Sequence, residues 1–373
     1  MNAENKVDDA FQEKLSRRAR LQEDLRVLAV DDDHNILQLL KTALSAFHFD
    51  ISISDSSANA LKLIARQDKP FDCCLLDIQM PTMNGIMLCK EIRKLPEYRQ
   101  APILMLTAMS DREYVDLAFV AGATDYVTKP FDFLELRSRM SAAQRLVQER
   151  RLAETSGPAL EANGRRAKFP LDEPVPVEGI DRVLRYTEFD NYIMQLSQGR
   201  LFNTHAMAVK ITDVKRMHKA MSPEAFEMVL RDVALSIANL TKKTGDIISY
   251  RGDGVFLIVK HGRFSGPQMP LEAAINQMVL TRQAQRQAPT EAQVITGDSV
   301  SLRSLSKSGS LMSISRAVES VELRDQMMRE RNTAPKRLMS GPAITAEQEH
   351  VRKRAYQSVL RDLFRDEPGL RSE

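Results

Sequence analysis

Short apolar runs alternate with helically spaced apolar residues from residue 26 to about residue 148. The helical spacing is clear at Leu37, Leu40 and Leu44, which would share one face of a helix. Five apolar runs separated in this way predict an α/β fold, with a doubly wound, five-stranded parallel sheet that helices cover on both faces. The predicted strands are Arg26–Val30, Ile51–Ile53, Cys73–Asp77, Ile103–Leu106 and Asp125–Val127.

A second pattern begins near residue 186 and continues to about residue 325. Ser222 and Pro223 are typical of a helix start, and that helix would extend to about Lys242. A turn at Gly252–Gly254 separates two apolar runs, as in a β-hairpin. The order β-α-β-β-α-β predicts a ferredoxin-like α+β domain, also called a palm. The predicted elements are strands Ala206–Ile211, Asp246–Arg251, Val255–Val259 and Gln293–Leu302, with further helices at Phe189–Leu196 and Leu271–Gln287.

The segments outside these two patterns set the predicted domain boundaries. Residues 1–25 are charged and compatible with an N-terminal helical arm. Prolines and glycines predict a linker over residues 149–185. Residues 326–373 are predicted to form a charged helical tail, and the run Ser299–Ser315 is typical of low complexity. The two predicted domains are therefore residues 26–148 and residues 186–325.

Charge is distributed unevenly along this chain of 373 residues, whose net charge is +3. Residues 26–140 contain 13 Lys and Arg against 16 Asp and Glu, whereas residues 141–373 contain 35 against 28. The acidic part favours a cation site, and the basic part is more typical of a solvated surface than of an anionic partner. Because no helix-turn-helix pattern is recognisable, nucleic acid is not an expected partner.

Cysteine content and hydropathy indicate the compartment. Three cysteines are too few for a disulfide framework, and the side chains of adjacent Cys73 and Cys74 would point to opposite faces of a strand. Buried thiols of this kind are typical of a reducing cytosol. No apolar run approaches the roughly 18 residues that span a bilayer, and the polar N-terminus differs from a signal peptide. We therefore predict a cytoplasmic protein without a membrane partner.

Polar side chains lie at the carboxyl ends of four predicted strands. Asp31 and Asp32 follow the first strand, Asp77 ends the third, and Thr107 and Lys129 follow the fourth and fifth. Because the carboxyl ends of parallel strands meet at one edge of a sheet, we expect these side chains to converge. A carboxylate accepts a phosphoryl group only where cations neutralise the charge that builds up. The sequence therefore predicts a Mg²⁺ site formed by Asp31, Asp32 and Asp77, with Asp77 as the phosphate acceptor.

This arrangement resembles the receiver domain of two-component response regulators of the CheY type, over about residues 26–148. The spacing is similar to that of the family, with 45 residues from Asp32 to Asp77, 30 from Asp77 to Thr107 and 22 from Thr107 to Lys129. The resemblance implies a flavodoxin-like fold, Mg²⁺ as cofactor and a histidine kinase or phosphotransferase as partner. It implies these roles: Asp77 as the phosphorylated residue, Asp31 and Asp32 as the acidic metal-binding pair, Thr107 and Tyr126 as switch residues, and Lys129 as the phosphoryl-binding lysine.

The turn at Gly252–Gly254 resembles the hairpin of two palm families, the diguanylate cyclases of the GGDEF type and the class III nucleotidyl cyclases. The resemblance implies metal ligands at Asp213 and Asp253. The pattern is incomplete, because Gly254 and Val255 stand where diguanylate cyclases carry acidic residues. Further departures are Ser249 in place of a base-reading lysine, Ser301 in place of an asparagine and Lys243 in place of the arginine of an inhibitory site. We therefore predict a degenerate cyclase-like domain.

The sequence leaves three functions open. The preferred hypothesis is a response regulator in which phosphorylation of Asp77 switches a non-catalytic, cyclase-like output domain. That domain would bind a protein or a nucleotide, and homodimer formation is left open. The alternative is a phosphorylation-controlled nucleotidyl cyclase, of the diguanylate, adenylate or guanylate type, that would use Asp213 and Asp253 as metal ligands. A transcription factor ranks last, because no basic recognition helix follows the receiver pattern.

Overall fold

The computed structural model describes residues 25–108, 112–156, 169–196, 204–261, 269–286, 291–303 and 307–333. The chain divides into two compact units, Met1–Ala159 and Leu160–Glu373. Nearly all of the predicted N-terminal arm, and the predicted tail beyond residue 333, lie outside the described residues. Among the described helices, none is long and apolar enough to cross a membrane.

The first unit contains one parallel sheet. Its strands are β1 (Arg26–Val30), β2 (Asp50–Ser54), β3 (Cys73–Asp77), β4 (Ile103–Thr107) and β5 (Asp125–Thr128). The strand order is β2-β1-β3-β4-β5, and every neighbouring pair is parallel. The central strands β3 and β4 are buried along their whole lengths, as expected when helices cover both faces. The predicted five-stranded α/β sheet is confirmed.

Helices flank the strands of this sheet. They are α1 (His34–Ser45), α2 (Ser57–Arg66), α3 (Gly85–Lys94), α4 (Arg112–Val120) and α5 (Phe133–Ser156). The predicted apolar face of α1 is confirmed, because Leu37, Leu40 and Leu44 are buried. Polar side chains fix where the first three helices begin: Asp33, Ser56 and Asn84 each accept a hydrogen bond from a backbone N–H two or three residues further on.

The second unit contains a mixed sheet. Its strands are β6 (Val183–Leu184), β7 (Thr204–Ile211), β8 (Ile247–Tyr250), β9 (Val255–His261), β10 (Val294–Thr296) and β11 (Val300–Ser301). The order is β10-β7-β9-β8-β6, with β11 also pairing with β7. The pairs β10–β7, β7–β9 and β9–β8 are antiparallel, whereas β6 is parallel to β8.

Helices also accompany the second sheet. They are α6 (Tyr186–Leu196), α7 (Val214–Ala220), α8 (Pro223–Leu240), α9 (Met269–Gln285) and α10 (Lys307–Thr333). The start of α8 is as predicted: Pro223 is its first residue, and the Ser222 hydroxyl accepts a hydrogen bond from the Ala225 N–H at 3.2 Å. Residues of α8 and α9, such as Phe226 and Ile275, share one apolar core with sheet residues such as Phe256.

The linker predicted for residues 149–185 differs from the structure at both ends. Helix α5 continues past residue 148 to Ser156. After residue 168, the chain is packed against the second core through partly buried Phe169 and Leu171, and β6 pairs with β8. Proline content identifies an irregular backbone, but it does not reveal whether that backbone is packed, because packing depends on residues distant in sequence.

The last predicted strand, Gln293–Leu302, is broken in the structure. Thr296 of β10 pairs with Val209, whereas Val300 of β11 pairs with Ala206. The three residues 297–299 therefore lie opposite the two residues 207–208 of β7. One extra residue on an edge strand is a β-bulge. Gly297 lies at this position, where an added Cβ would meet the Ser320 hydroxyl oxygen at 2.7 Å.

A long helix follows where the sequence indicated low complexity and a domain end at residue 325. Residues 307–315 of the serine-rich run form the first turns of α10, which continues to Thr333. Buried Ala317 and Val321 lie on this helix. Lys210 of β7 forms an ion pair with Asp325 at 3.7 Å. Contacts with the sheet therefore stabilise a helix whose serine content is unfavourable by local propensity.

Candidate phosphorylation site

The polar residues singled out in the first unit lie at one edge of the parallel sheet. Asp31 directly follows β1, and Asp77 is the last residue of β3. Thr107 is the last residue of β4, where it pairs with Thr128 of β5, and the Lys129 N–H donates to the Thr107 carbonyl at 2.7 Å. The strand register alone therefore brings these positions together.

Lys129 joins two buried carboxylates. Its Nζ donates to Asp31 Oδ2 at 2.6 Å and to Asp77 Oδ1 at 2.7 Å. The side chains of Asp31 and Asp77 are only 1% and 4% exposed. Charge-assisted hydrogen bonds of this length fix the ammonium group, because few water molecules can compete for it.

Asp32 completes a cluster of three carboxylates. One oxygen from each of Asp31, Asp32 and Asp77 lies within 4.8 Å of the others, and Asp32 is the exposed member. Within the described residues, this is the one group of three or more acidic, histidine or cysteine side chains with such spacing. Three carboxylates face one ammonium group, so a divalent cation matches the excess negative charge. The oxygen donors are of the kind that Mg²⁺ prefers, and the residues present therefore fit this ion.

The pKa shifts of Asp77 and Lys129 describe the electrostatics of the pocket. Burial raises the pKa of Asp77 above its usual value; the hydrogen bond from Lys129 opposes this, and the neighbouring Asp31 and Asp32 charges add to it. For Lys129, burial acts to lower the pKa, but the hydrogen bonds to Asp31 and Asp77 outweigh it, and the pKa is raised. Lys129 therefore remains charged at neutral pH, and added positive charge would favour the ionised form of Asp77.

The backbone after Asp77 is held by a glycine. The Gly85 N–H donates to the Ile78 carbonyl at 3.1 Å, and Asn84 caps α3 by accepting from the Met87 N–H at 2.8 Å. A Cβ built on Gly85 would lie 2.0 Å from the Asp77 carbonyl oxygen. Only a residue without a side chain allows α3 to begin this close to the end of β3.

The two predicted switch residues lie on neighbouring strands. Thr107 is 1% exposed and Tyr126 is 7% exposed. The Tyr126 ring packs edge-on against Phe119 at 6.5 Å between centroids. Burial raises the pKa of Tyr126 to about 12, with a further contribution from Asp125. Tyr126 is therefore a neutral, inward-facing side chain in this state.

The two predicted ligands of the second unit lie at one end of its sheet. The Ile211 N–H donates to the Gly254 carbonyl at 2.9 Å, which places the residues after β7 beside the β8–β9 turn. Asp213 adopts a left-handed backbone with φ of 52°, and its side chain is 59% exposed and lies 3.6 Å from Arg216. Asp253 is also left-handed, with φ of 49°. Neither belongs to a group of three potential metal ligands among the described residues.

Comparison with known proteins identifies the first unit. Residues 27–141 match the response regulator receiver domain family. The transcriptional regulatory protein KdpE of Staphylococcus aureus is 34% identical over 135 residues, covering 35% of this chain and 56% of that protein. The response regulator PleD of Caulobacter vibrioides is 34% identical over 135 residues, covering 35% and 29%. The transcriptional regulatory protein CpxR of Klebsiella pneumoniae is 29% identical over 222 residues, covering 58% and 88%.

Solved structures give matches of the same extent. A putative response regulator from Chloroflexus aurantiacus is 32% identical and covers 33% of this chain and 99% of its own, with a TM-score of 0.31. The chain spans about half the length of the first curated relatives it matches. The first unit is a receiver domain of the CheY-like class, as found in two-component response regulators.

Proposed function

We propose that this chain is a response regulator that accepts a phosphoryl group on Asp77 and transmits this event to its second unit. The observation that carries the proposal is the Lys129 ammonium, held at 2.6 Å from Asp31 and 2.7 Å from Asp77 in a pocket that also contains Asp32. A receiver domain implies a histidine kinase or a phosphotransfer protein as the donor.

Transfer of a phosphoryl group to Asp77 requires an ionised nucleophile, donors to the phosphoryl oxygens and neutralisation of the phosphoryl charge. An ionised Asp77 oxygen forms a bond to phosphorus while the bond between phosphorus and the donor atom breaks, so the leaving group takes that electron pair. Lys129 offers a fixed positive charge to the incoming phosphoryl oxygens, and Thr107 offers a hydroxyl. Mg²⁺ held by Asp31, Asp32 and Asp77 would supply further neutralisation of the phosphoryl charge.

Labelling of the full chain tests the first half of the proposal. Incubation with acetyl phosphate and Mg²⁺ is expected to add one phosphoryl group, which peptide mass spectrometry locates on Asp77. Chelation of the metal with EDTA is expected to reduce labelling strongly, because three carboxylates would then repel the donor with only Lys129 to offset them. Labelling confined to another residue would contradict the proposal.

For the second unit, we propose a ferredoxin-like palm that serves as a degenerate, non-catalytic output domain. The order β10-β7-β9-β8, with antiparallel neighbours throughout, is the order expected of a β-α-β-β-α-β chain in which each helix crosses over one strand. The output domain would bind a protein or a nucleotide without turning it over. The proposal leaves homodimer formation open and requires neither DNA nor a membrane.

The hydrogen bonds of the Gly252–Gly254 turn support a non-catalytic role. The Asp253 N–H donates to the Leu171 carbonyl at 2.6 Å, the Gly254 N–H to the Tyr250 hydroxyl at 3.2 Å, and the Val255 N–H to the Gly252 carbonyl at 2.9 Å. A hairpin that binds a triphosphate needs such donors to be accessible. The Gly254 and Val255 donors already have partners within the hairpin itself.

An assay for cyclic products separates this proposal from the cyclase alternative. We expect no cyclic mononucleotide or cyclic dinucleotide when the full chain is incubated with Mg²⁺ and GTP or ATP, before or after acetyl phosphate treatment. Product that forms in the unchanged protein and disappears in Asp253→Ala would favour the cyclase. Asp298→Ala is the control, because Asp298 lies in the same unit but outside the turn.

A further inference from the structure

An irregular segment of the second unit lies across the Gly252–Gly254 turn. We call residues 169–177 the strap. It has no regular secondary structure, and its apolar side chains pack against the core of the second unit. The half-buried residues that make this contact are Phe169, Leu171, Val175 and Val177.

The strap touches the turn through backbone atoms. The Leu171 carbonyl accepts the 2.6 Å hydrogen bond from the Asp253 N–H. A Cβ built on Gly252, whose φ is 88°, would lie 2.5 Å from the Asp172 carbonyl oxygen. A tight turn in the strap, in which the Glu173 N–H donates to the Pro170 carbonyl at 3.2 Å, surrounds these two contact residues. The strap thus occupies the space directly over the turn.

An aromatic anchor holds the beginning of the strap. The Phe169 ring lies 5.6 Å from the His218 ring and 5.8 Å from the Phe226 ring, measured between centroids. The Phe169 carbonyl is 3.0 Å from His218 Nε2. These contacts precede Leu171 by only two residues, so the anchoring of Phe169 helps to hold the Leu171 carbonyl within reach of Asp253.

In the sequence, the strap follows the receiver and precedes the turn. Helix α5 begins four residues after Lys129 and ends at Ser156. The strap begins after a further 12 residues and is the first described segment of the second unit. Along the chain, the strap is therefore the described part of the second unit nearest to α5.

We propose that the strap is the element that couples the receiver to the output domain: it covers the Gly252–Gly254 turn in this state and releases it when Asp77 is phosphorylated. This inference rests on the proposed phosphorylation of Asp77. Release requires the loss of one backbone hydrogen bond to the turn and a shift of partly buried side chains, whereas the sheet beneath remains paired. Local opening of this kind needs no global unfolding.

Hydrogen exchange of the full chain tests the coupling. After acetyl phosphate and Mg²⁺ treatment, we expect amide exchange in the peptides that contain residues 169–175 and Asp253 to become at least about tenfold faster. The Asp77→Asn protein, treated in the same way, is expected to keep the slow exchange. If mass spectrometry finds Asp77 phosphorylated while exchange at the strap and at Asp253 is unchanged, the coupling is wrong and the proposed phosphorylation stands. Absence of label on Asp77 would instead overturn the proposed function.

A strap variant tests the contact without any phosphodonor. Phe169→Ala removes the ring that packs against both His218 and Phe226, and we expect faster exchange of the Asp253 amide while the strand amides of β9 stay protected. Met228→Ala is the matched control, because Met228 lies on α8 of the same unit and is 47% exposed. Unchanged exchange at Asp253 in Phe169→Ala would show that the strap does not hold the turn.

Discussion

Replacing Asp77 with asparagine is expected to abolish phosphate incorporation from acetyl phosphate. Asparagine has nearly the same shape, and its amide oxygen can still accept the hydrogen bond that Lys129 Nζ now donates at 2.7 Å. It has no ionised oxygen to attack phosphorus. The loss should therefore be complete, and it should reflect chemistry, because the pocket keeps its side-chain volume.

The same variant is expected to be at least as stable as the unchanged protein at neutral pH. Burial and the neighbouring carboxylates raise the pKa of Asp77 in the folded state, so the ionised form costs free energy there relative to the unfolded chain. This cost is present above the folded-state pKa and disappears as the pH falls below the unfolded value. Asparagine removes this free-energy cost at neutral pH. Chemical denaturation can measure the resulting change in the free energy of unfolding.

Asp55→Asn is the control for this experiment. Asp55 follows β2 at the same edge of the sheet, but it is exposed and bonds to the nearby Asn59 and Ser56. Its replacement is expected to leave labelling unchanged. Labelling that survives in Asp77→Asn, or is lost in Asp55→Asn, would remove Asp77 from the proposed role.

Gly85→Ala is expected to destabilise the first unit by about 3 kcal/mol or more, as severe overpacking does. The added Cβ would lie 2.0 Å from the Asp77 carbonyl oxygen and 2.8 Å from its carbonyl carbon, so the start of α3 or the end of β3 must move. Because both contacts are with backbone, no side-chain rotation relieves them. Labelling of Asp77 should fall as well, since the clash displaces the proposed acceptor residue itself.

The sign of the stability change in Gly85→Ala tests the close approach of α3 to Asp77. In an ordinary helix, replacing glycine by alanine stabilises by roughly 0.5–1 kcal/mol. Destabilisation in urea would therefore report the close approach of α3 to Asp77, and stabilisation would contradict it. Met87→Ala is the control in the same helix, because Met87 is 50% exposed, and its effect should stay within about 0.5 kcal/mol.

The receiver fold could be read from the sequence because its signals are local. Each strand is a short apolar run, each helix has periodic apolar residues, and the polar residues stand directly at strand ends. Once the strands are known to be parallel, Asp31, Asp77 and Lys129 must lie at the same edge. The bond distances could not be predicted, because they depend on side-chain conformations set by burial.

The second unit was less predictable, because its boundaries depend on contacts between distant residues. The proline-rich composition of residues 169–177 indicates an irregular backbone, which is correct, but it also suggested a linker. Composition does not reveal that the Leu171 carbonyl contacts the Gly252–Gly254 turn. Similarly, the serine content before residue 315 obscured α10, whose helix is stabilised by packing on the sheet.

For the first unit, the sequence by itself determined the order of strands and helices, the parallel sheet and the edge at which three carboxylates and one lysine gather, because these follow from periodicity and strand direction. Only the tertiary structure decided that Lys129 bridges Asp31 and Asp77, that α3 begins against the Asp77 carbonyl and that Leu171 binds the Asp253 amide. The Lys129 and Leu171 contacts join chain segments far apart in sequence, and the α3 contact depends on how the loop between Asp77 and Gly85 folds back. Packing fixes such contacts, and no local pattern of residues specifies them.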